Sequence, residues 1–268
     1  MTYLQFHLVF ILPPLLFLWY RMRGATAVLG PRVRWTLPVM ALIALAWTTP
    51  WDNYLVWRGV WWYGADRVLA TIGYVPVEEY LFFILQPLLV GLWCCHVLTT
   101  DARRWPGPHE TRGDDADPSG FAATGVRAGT TWSPSAAGLI VYANLSIAGA
   151  AMLVFERSLY LGLILAWAAP VLLGQWVLVG RHLGARPRLF LRLIVAPTLY
   201  LWVADRIAIG VGIWSIAPQY TTGLHLLGLP IEEAAFFLVT NLLVVQGVLL
   251  FLQPWQRQAV QQPMRMAA

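Results

Sequence analysis

Seven apolar stretches, each close to the length that crosses a bilayer, leave this chain few folds to choose from. They run over residues 3–20, 35–54, 75–98, 136–155, 159–179, 189–214 and 224–252, near the ~20 residues a helix needs to span the hydrocarbon. Lipid offers no partner for a free strand edge, so helices are the expected form. Internal prolines (Pro13, Pro14, Pro87, Pro170, Pro197) are tolerated in such helices and mark places to kink. Composition agrees. Of 268 residues, 59% are hydrophobic and 12% charged, and the mean hydropathy is +0.62. That places the chain among integral membrane proteins rather than soluble domains. The expected fold class is an all-α integral membrane protein with seven transmembrane helices.

Charge then orients the spans. Every basic residue is an arginine, and the net charge is +5. A basic balance can signal nucleic acid, but these arginines sit in short connections. Arg21, Arg23, Arg32 and Arg34 follow the first span, and Arg103 and Arg104 the third. Arg181, Arg186 and Arg188 lie between the fifth and sixth, and Arg257 and Arg265 follow the seventh. Positive residues mark cytoplasmic loops, which puts the N-terminus outside and the C-terminus in the cytoplasm. The expected location is the cytoplasmic membrane of a bacterium, crossed several times. The first residues lack a basic leader, so no cleavable signal is expected. Adjacent Cys94 and Cys95 suggest neither a disulfide framework nor a metal site.

Within this apolar setting an acidic motif occurs twice. Pro76-Val77-Glu78-Glu79-Tyr80-Leu81-Phe82-Phe83 returns as Pro230-Ile231-Glu232-Glu233-Ala234-Ala235-Phe236-Phe237. Upstream of each stands an aspartate nine residues before a tryptophan: Asp52 before Trp61, Asp205 before Trp214. Carboxylates at a membrane boundary are costly, and duplicating them points to function. Under the arginine-based topology all six acids gather near the outer leaflet. Asp52 to Glu78 spans 26 residues and Asp205 to Glu232 spans 27, so the halves align with one gap. Spans one to three match five to seven, and the fourth is an unmatched connector. A shift of four spans preserves orientation, which makes the halves parallel repeats. The expected domains are a first three-helix unit (1–98), a polar cytoplasmic linker (99–135), a connector helix (136–155), a second three-helix unit (156–255) and a cytoplasmic tail (256–268).

The paired Pro-x-Glu-Glu-x-x-Phe-Phe motifs, the two Asp-x8-Trp elements and the three-one-three plan resemble the membrane-integral lycopene cyclases, in the form where both halves share one chain. The likeness covers residues 1–100 and 136–255, while the linker matches nothing. It implies closure of the acyclic ends of lycopene into β-ionone-type rings. A proton adds to a terminal double bond, the neighbouring double bond attacks the cation, and the ring then loses a proton. Electrons balance, so no redox cofactor is expected. The sequence has no Gly-x-Gly-x-x-Gly fingerprint for a dinucleotide, unlike the flavin-bearing soluble-type cyclases. The implied partners are lycopene or a related carotenoid entering from the lipid, membrane lipids, and other enzymes of the carotenoid pathway. The β, ε or γ position of the ring double bond stays open, as does the number of ends closed.

The acids suit that chemistry. A carboxyl group withdrawn from water tends to stay neutral and can donate a proton, and a second one beside it can act as base or counter-charge. The candidate catalytic residues are Glu78, Glu79, Glu232, Glu233, Asp52 and Asp205. On a helix Glu78 shares a face with Phe82, Glu79 with Phe83, Glu232 with Phe236 and Glu233 with Phe237. Aromatic faces stabilise a cation by ~0.5–2 kcal/mol, and Trp61, Trp62 and Trp214 extend the expected lining. Adjacent glutamates point about 100° apart, so at most one of each pair faces the reacting end. Which one is left open.

Other readings compete. Pro-Glu-Glu is also a good helix start. Asp205-Arg206 and, with more reason, Asp66-Arg67 could be plain ion pairs. The five histidines show no ligand spacing, so no metal is expected. Parallel helical repeats also occur in solute transporters, where the acids would relay protons, although such sites lie at the midplane. A retinal photoreceptor needs a lysine, and this chain has none.

Overall fold

A computed structural model describes residues 1–104 and 134–252. Its long helices are α1 (Tyr3–Arg21), α2 (Val33–Arg58), α3 (Val77–Arg104), α4 (Pro134–Met152), α5 (Leu159–Ala185), α6 (Pro187–Gly210) and α7 (Ile231–Leu252). A one-turn helix, Ala25–Leu29, joins α1 to α2. Five of these segments are long and apolar enough to cross a membrane: Tyr3–Arg21, Val77–Asp101, Glu156–Gly180, Pro187–Gly210 and Ile231–Leu252. α2, which carries Arg34, Asp52 and Arg58, falls short on hydropathy, and α4 on apolar length.

Local sequence explains the element ends. Thr2 caps α1 with a reciprocal pair: its hydroxyl accepts the Gln5 N–H (3.3 Å) and the Gln5 side chain accepts the Thr2 N–H (2.9 Å). A π-helical turn, His7–Ile11, precedes Pro13 and Pro14. Pro14 cannot donate to the Phe10 carbonyl, and the Tyr200 hydroxyl from α6 does so instead at 2.6 Å.

Three short antiparallel ladders depart from the all-helical expectation. β2 (Thr71–Ile72) pairs with β3 (Val75–Pro76), and β5 (His225–Leu226) with β6 (Leu229–Pro230). β1 (Trp61–Tyr63) pairs with β4 (Trp214–Ile216), with Trp62 opposite Ser215. Residues 224–230 are apolar enough to read as the start of the last span, yet Leu227 and Gly228 both take positive φ (52° and 82°). That is the signature of a tight hairpin turn, which no helix contains. Likewise α6 stops at Gly210, and Gly212 (φ 69°) turns the chain into β4. α3 begins at Val77 rather than at residue 75, and it runs on to Arg104, into the stretch read as linker. Residues 105–133 and 253–268, with most of that linker and the whole tail, lie outside the described residues.

α3 and α7 pack against each other; α1 and α2 lie on α3, and α5 and α6 on α7. α4 packs on α5, where a Cβ on Gly149 would stand 2.6 Å from the Ala166 nitrogen, so only glycine admits the approach. A buried polar chain links the centre: Gln86 donates to Asn241 (2.8 Å), which donates to Thr198 (2.9 Å), tying α3, α7 and α6. These contacts bring the starts of α1, α3, α5 and α7 and the ends of α2 and α6 to one end of the bundle.

Candidate active site

That end holds the acids. In each motif the two glutamates divide their tasks, because adjacent helix positions diverge. The first turns outward to the hairpin before it. Glu78 Oε1 accepts the Leu69 N–H at 2.9 Å, and Glu232 Oε1 accepts the Thr222 N–H (2.7 Å) and hydroxyl (2.8 Å). Both are buried, so these bonds pin the hairpins to the helix starts. Cutting the tie by Glu232→Ala should lower stability by ~1–3 kcal/mol, the cost of a buried donor left unpaired. Thermal unfolding in detergent, with proteolysis of the 222–230 segment, measures it.

The second glutamate turns to neighbouring phenols, Glu233 buried and Glu79 half-buried. Glu79 Oε2 accepts two phenols, Tyr3 at 2.6 Å and Tyr63 at 3.2 Å. Glu233 Oε1 accepts the Tyr160 hydroxyl at 2.7 Å, and its carboxyl lies near that of Asp205. Asp205 Oδ1 in turn accepts the Trp214 indole N–H at 3.0 Å, which gives the nine-residue spacing a physical meaning. Asp205 Oδ2 and, in the other half, Asp52 Oδ2 and Trp61 Nε1 are buried without a partner among the described residues. Burial, followed by the charge of Glu79, pushes the Tyr63 hydroxyl well above the usual phenol range, so it stays a proton donor. Asp52, Glu79, Asp205 and Glu233 thus form one electrostatic cluster drawn from α2, α3, α6 and α7.

Aromatic rings enclose it. Phe82 and Phe237 meet edge to face at 6.1 Å, Phe237 meets Phe236 at 5.3 Å, and Trp51 stacks on Phe236 at 5.7 Å. Trp61 lies against Trp51 (5.9 Å) and Tyr160 (5.3 Å); Trp214 lies against Tyr3 (5.1 Å) and Phe6 (5.5 Å). Two of the expected lining residues stand apart from these ring contacts. Trp62, 48% exposed, points away because strand neighbours alternate. Phe83 is buried against Tyr80 (5.9 Å), off the Phe82–Phe237 contact.

The sequence reading missed Tyr3, Tyr63, Tyr160 and Trp51. Tyr3 and Tyr160 begin α1 and α5 and serve matched glutamates, so extending the repeat alignment to the helix starts finds them. Tyr63 and Trp51 have no such signal. The expected ion pairs are also corrected: among the described residues the ion pair within 4.0 Å is Arg192–Asp101 (3.0 Å), so neither Asp66-Arg67 nor Asp205-Arg206 forms one. Arg67 donates instead to the Met1 carbonyl at 3.1 Å. Among the described residues no group of three or more His, Cys, Asp or Glu could hold a metal ion.

Carboxyls walled by phenols and rings thus gather at one end of a bundle in which five segments are long and apolar enough to cross a membrane. Comparison with known proteins gives the family. The lycopene cyclase family model matches residues 1–97 and 144–251. A lycopene beta-cyclase of Halobacterium salinarum is 42% identical over 257 residues, 93% of this chain and 95% of that protein. Bifunctional lycopene cyclase/phytoene synthases of Arthroderma gypseum and Blakeslea trispora are 35% and 32% identical over 92% and 91% of this chain, which cover 41% and 38% of those longer proteins. No solved structure matches. The chain belongs to the lycopene cyclase family, and it is an enzyme of that family rather than a transporter.

Proposed function

We propose that this chain closes the ends of lycopene into β-ionone-type rings in carotenoid biosynthesis, by a proton-initiated, redox-neutral reaction. The observation that carries the reading is the Asp205–Glu233 carboxyl pair, enclosed beside an aromatic layer, in a chain 42% identical to a lycopene beta-cyclase. Two buried carboxyls that interact favour keeping a proton, since burial and mutual repulsion both penalise ionising the pair. This pair supplies the proton to the terminal double bond. The neighbouring double bond gives its electron pair to the cation and closes the ring, and a ring C–H then yields a proton. One proton enters, one leaves, and no electrons are exchanged. Glu79, held by two phenols, is the counter-charge to the cation, and Phe82, Phe236 and Phe237 line its path. Asp52 tunes the field of both glutamates. Glu78 and Glu232 act through the hairpins.

The architecture proposed with it is seven spans in two parallel three-helix units around the connector α4. Matched hairpins support this: Val77 N–H bonds the Ala70 carbonyl and Ile231 N–H the Leu224 carbonyl, both at 2.9 Å. The arginine-rich end faces the cytoplasm and the acids lie near the outer leaflet, where an apolar substrate enters from the lipid; lipids and neighbouring pathway enzymes are its partners. In liposomes, with neither nicotinamide nor flavin added, the purified chain should convert lycopene to cyclic pigments. Purely acyclic pigment from well-folded protein would refute the reading.

A further inference from the structure

His7 takes no part in the scheme above, yet it is built into the site with unusual backbone. It opens the π-helical turn of α1, a geometry rare in proteins and frequent at functional positions. Its ring is buried, stacks on that of Tyr3 (4.8 Å between centroids, 22° between planes) and meets Phe82 at 6.1 Å. Tyr3 bonds Glu79 and Phe82 meets Phe237 of the other half, so the imidazole touches the aromatic layer and stands one ring away from the Glu79 carboxyl. Nδ1 lies 3.0 Å from the Tyr3 carbonyl oxygen. A carbonyl only accepts, so Nδ1 carries the ring hydrogen and Nε2 of the neutral ring bears a lone pair. Nε2 is buried with no hydrogen-bond partner among the described residues. Packing alone does not ask for this. At the matched place in the other half, four residues after Tyr160, stands Ile164, fully buried.

We infer that His7 Nε2 takes the proton that leaves the newly closed ring, and so determines which ring position loses it. The inference rests on the cyclase reading above. In the step, a ring C–H bond breaks, its electron pair becomes the ring double bond, and the proton passes to Nε2. The resulting imidazolium balances the negative charge left on the Asp205–Glu233 pair by the initiating proton. Return of a proton to that pair resets the site, with no oxidant or reductant. The choice among β, ε and γ products is then the choice of which C–H faces Nε2.

The test compares His7→Asn and His7→Phe with the parent chain in lycopene-loaded liposomes. Asn keeps a donor for the Tyr3 carbonyl but has nothing at the Nε2 position; Phe keeps the ring. Both should lower turnover per folded protein by roughly 100-fold, the scale of general-base catalysis. Both should also change the ratio of ring isomers in the residual product. A role in folding alone changes the amount of protein but not that ratio. Parent-like turnover and ratio in His7→Asn overturn the inference. Should the variants fail to accumulate, nitrogen-15 spectra of the parent protein decide: the His7 Nε2 resonance should move when lycopene is added, and an unmoved resonance is the contrary result. A parent chain that leaves lycopene acyclic would instead refute the cyclase reading itself.

Discussion

Glu233→Gln and Glu79→Gln should each abolish ring formation while Glu78→Gln and Glu232→Gln leave most of it. The amide is far too weak an acid to start the reaction and carries no charge to face the cation, so losses of ~10²–10⁴-fold are expected at the two inward positions. At the outward positions the amide oxygen still accepts the Leu69 and Thr222 N–H groups that Glu78 and Glu232 hold. Turnover there should stay within about tenfold of the parent. Pigment chromatography normalised to inserted protein measures all four. Equal losses within each pair would break the division of tasks between adjacent glutamates, and full activity in all four would reduce the motifs to helix starts.

The two aspartates should differ as sharply. Asp205→Asn removes the carboxyl proposed to share a proton with Glu233 and leaves the Trp214 indole with an altered acceptor. A loss of ~10²-fold or more is expected, since the initiating acid itself is dismantled. Asp52 has no such bond and acts on Glu79 and Glu233 only through its charge. Asp52→Asn should cost about tenfold or less, the scale of a coupling near one pKa unit. The carboxyl contact in one half sets them apart. Kinetics of the two variants in liposomes, with thermal unfolding to exclude misfolding, resolve the order.

Much of this was legible in the residues, and the remainder has physical reasons. The apolar runs located every long helix among the described residues, five of them apolar enough to cross a membrane. Helix starts were misplaced where an apolar hairpin precedes the helix: the positive φ of Leu227 and Gly228 leaves no trace in hydropathy. Duplication exposed Glu79, Glu233, Asp52 and Asp205 and hid their differences, since matched motifs look alike while their surroundings do not. Tyr63 stands opposite Trp214 in a strand pair joining loops some 150 residues apart in sequence. That register depends on how the two halves dock, which no local pattern encodes. The side that Trp62 takes was hidden because three aromatic residues in a row conceal the alternation of a strand.

The most direct measurement is the mass of the product formed in a single turnover in deuterium oxide. If a solvent-equilibrated carboxyl starts the reaction and a carbon-bound proton ends it, each ring formed carries one deuterium from the enzyme, at the carbon that received the proton. The pigment otherwise has the composition of lycopene. A cyclic product without deuterium, or one differing from lycopene in its degree of oxidation, would contradict a redox-neutral cyclisation begun by these buried acids.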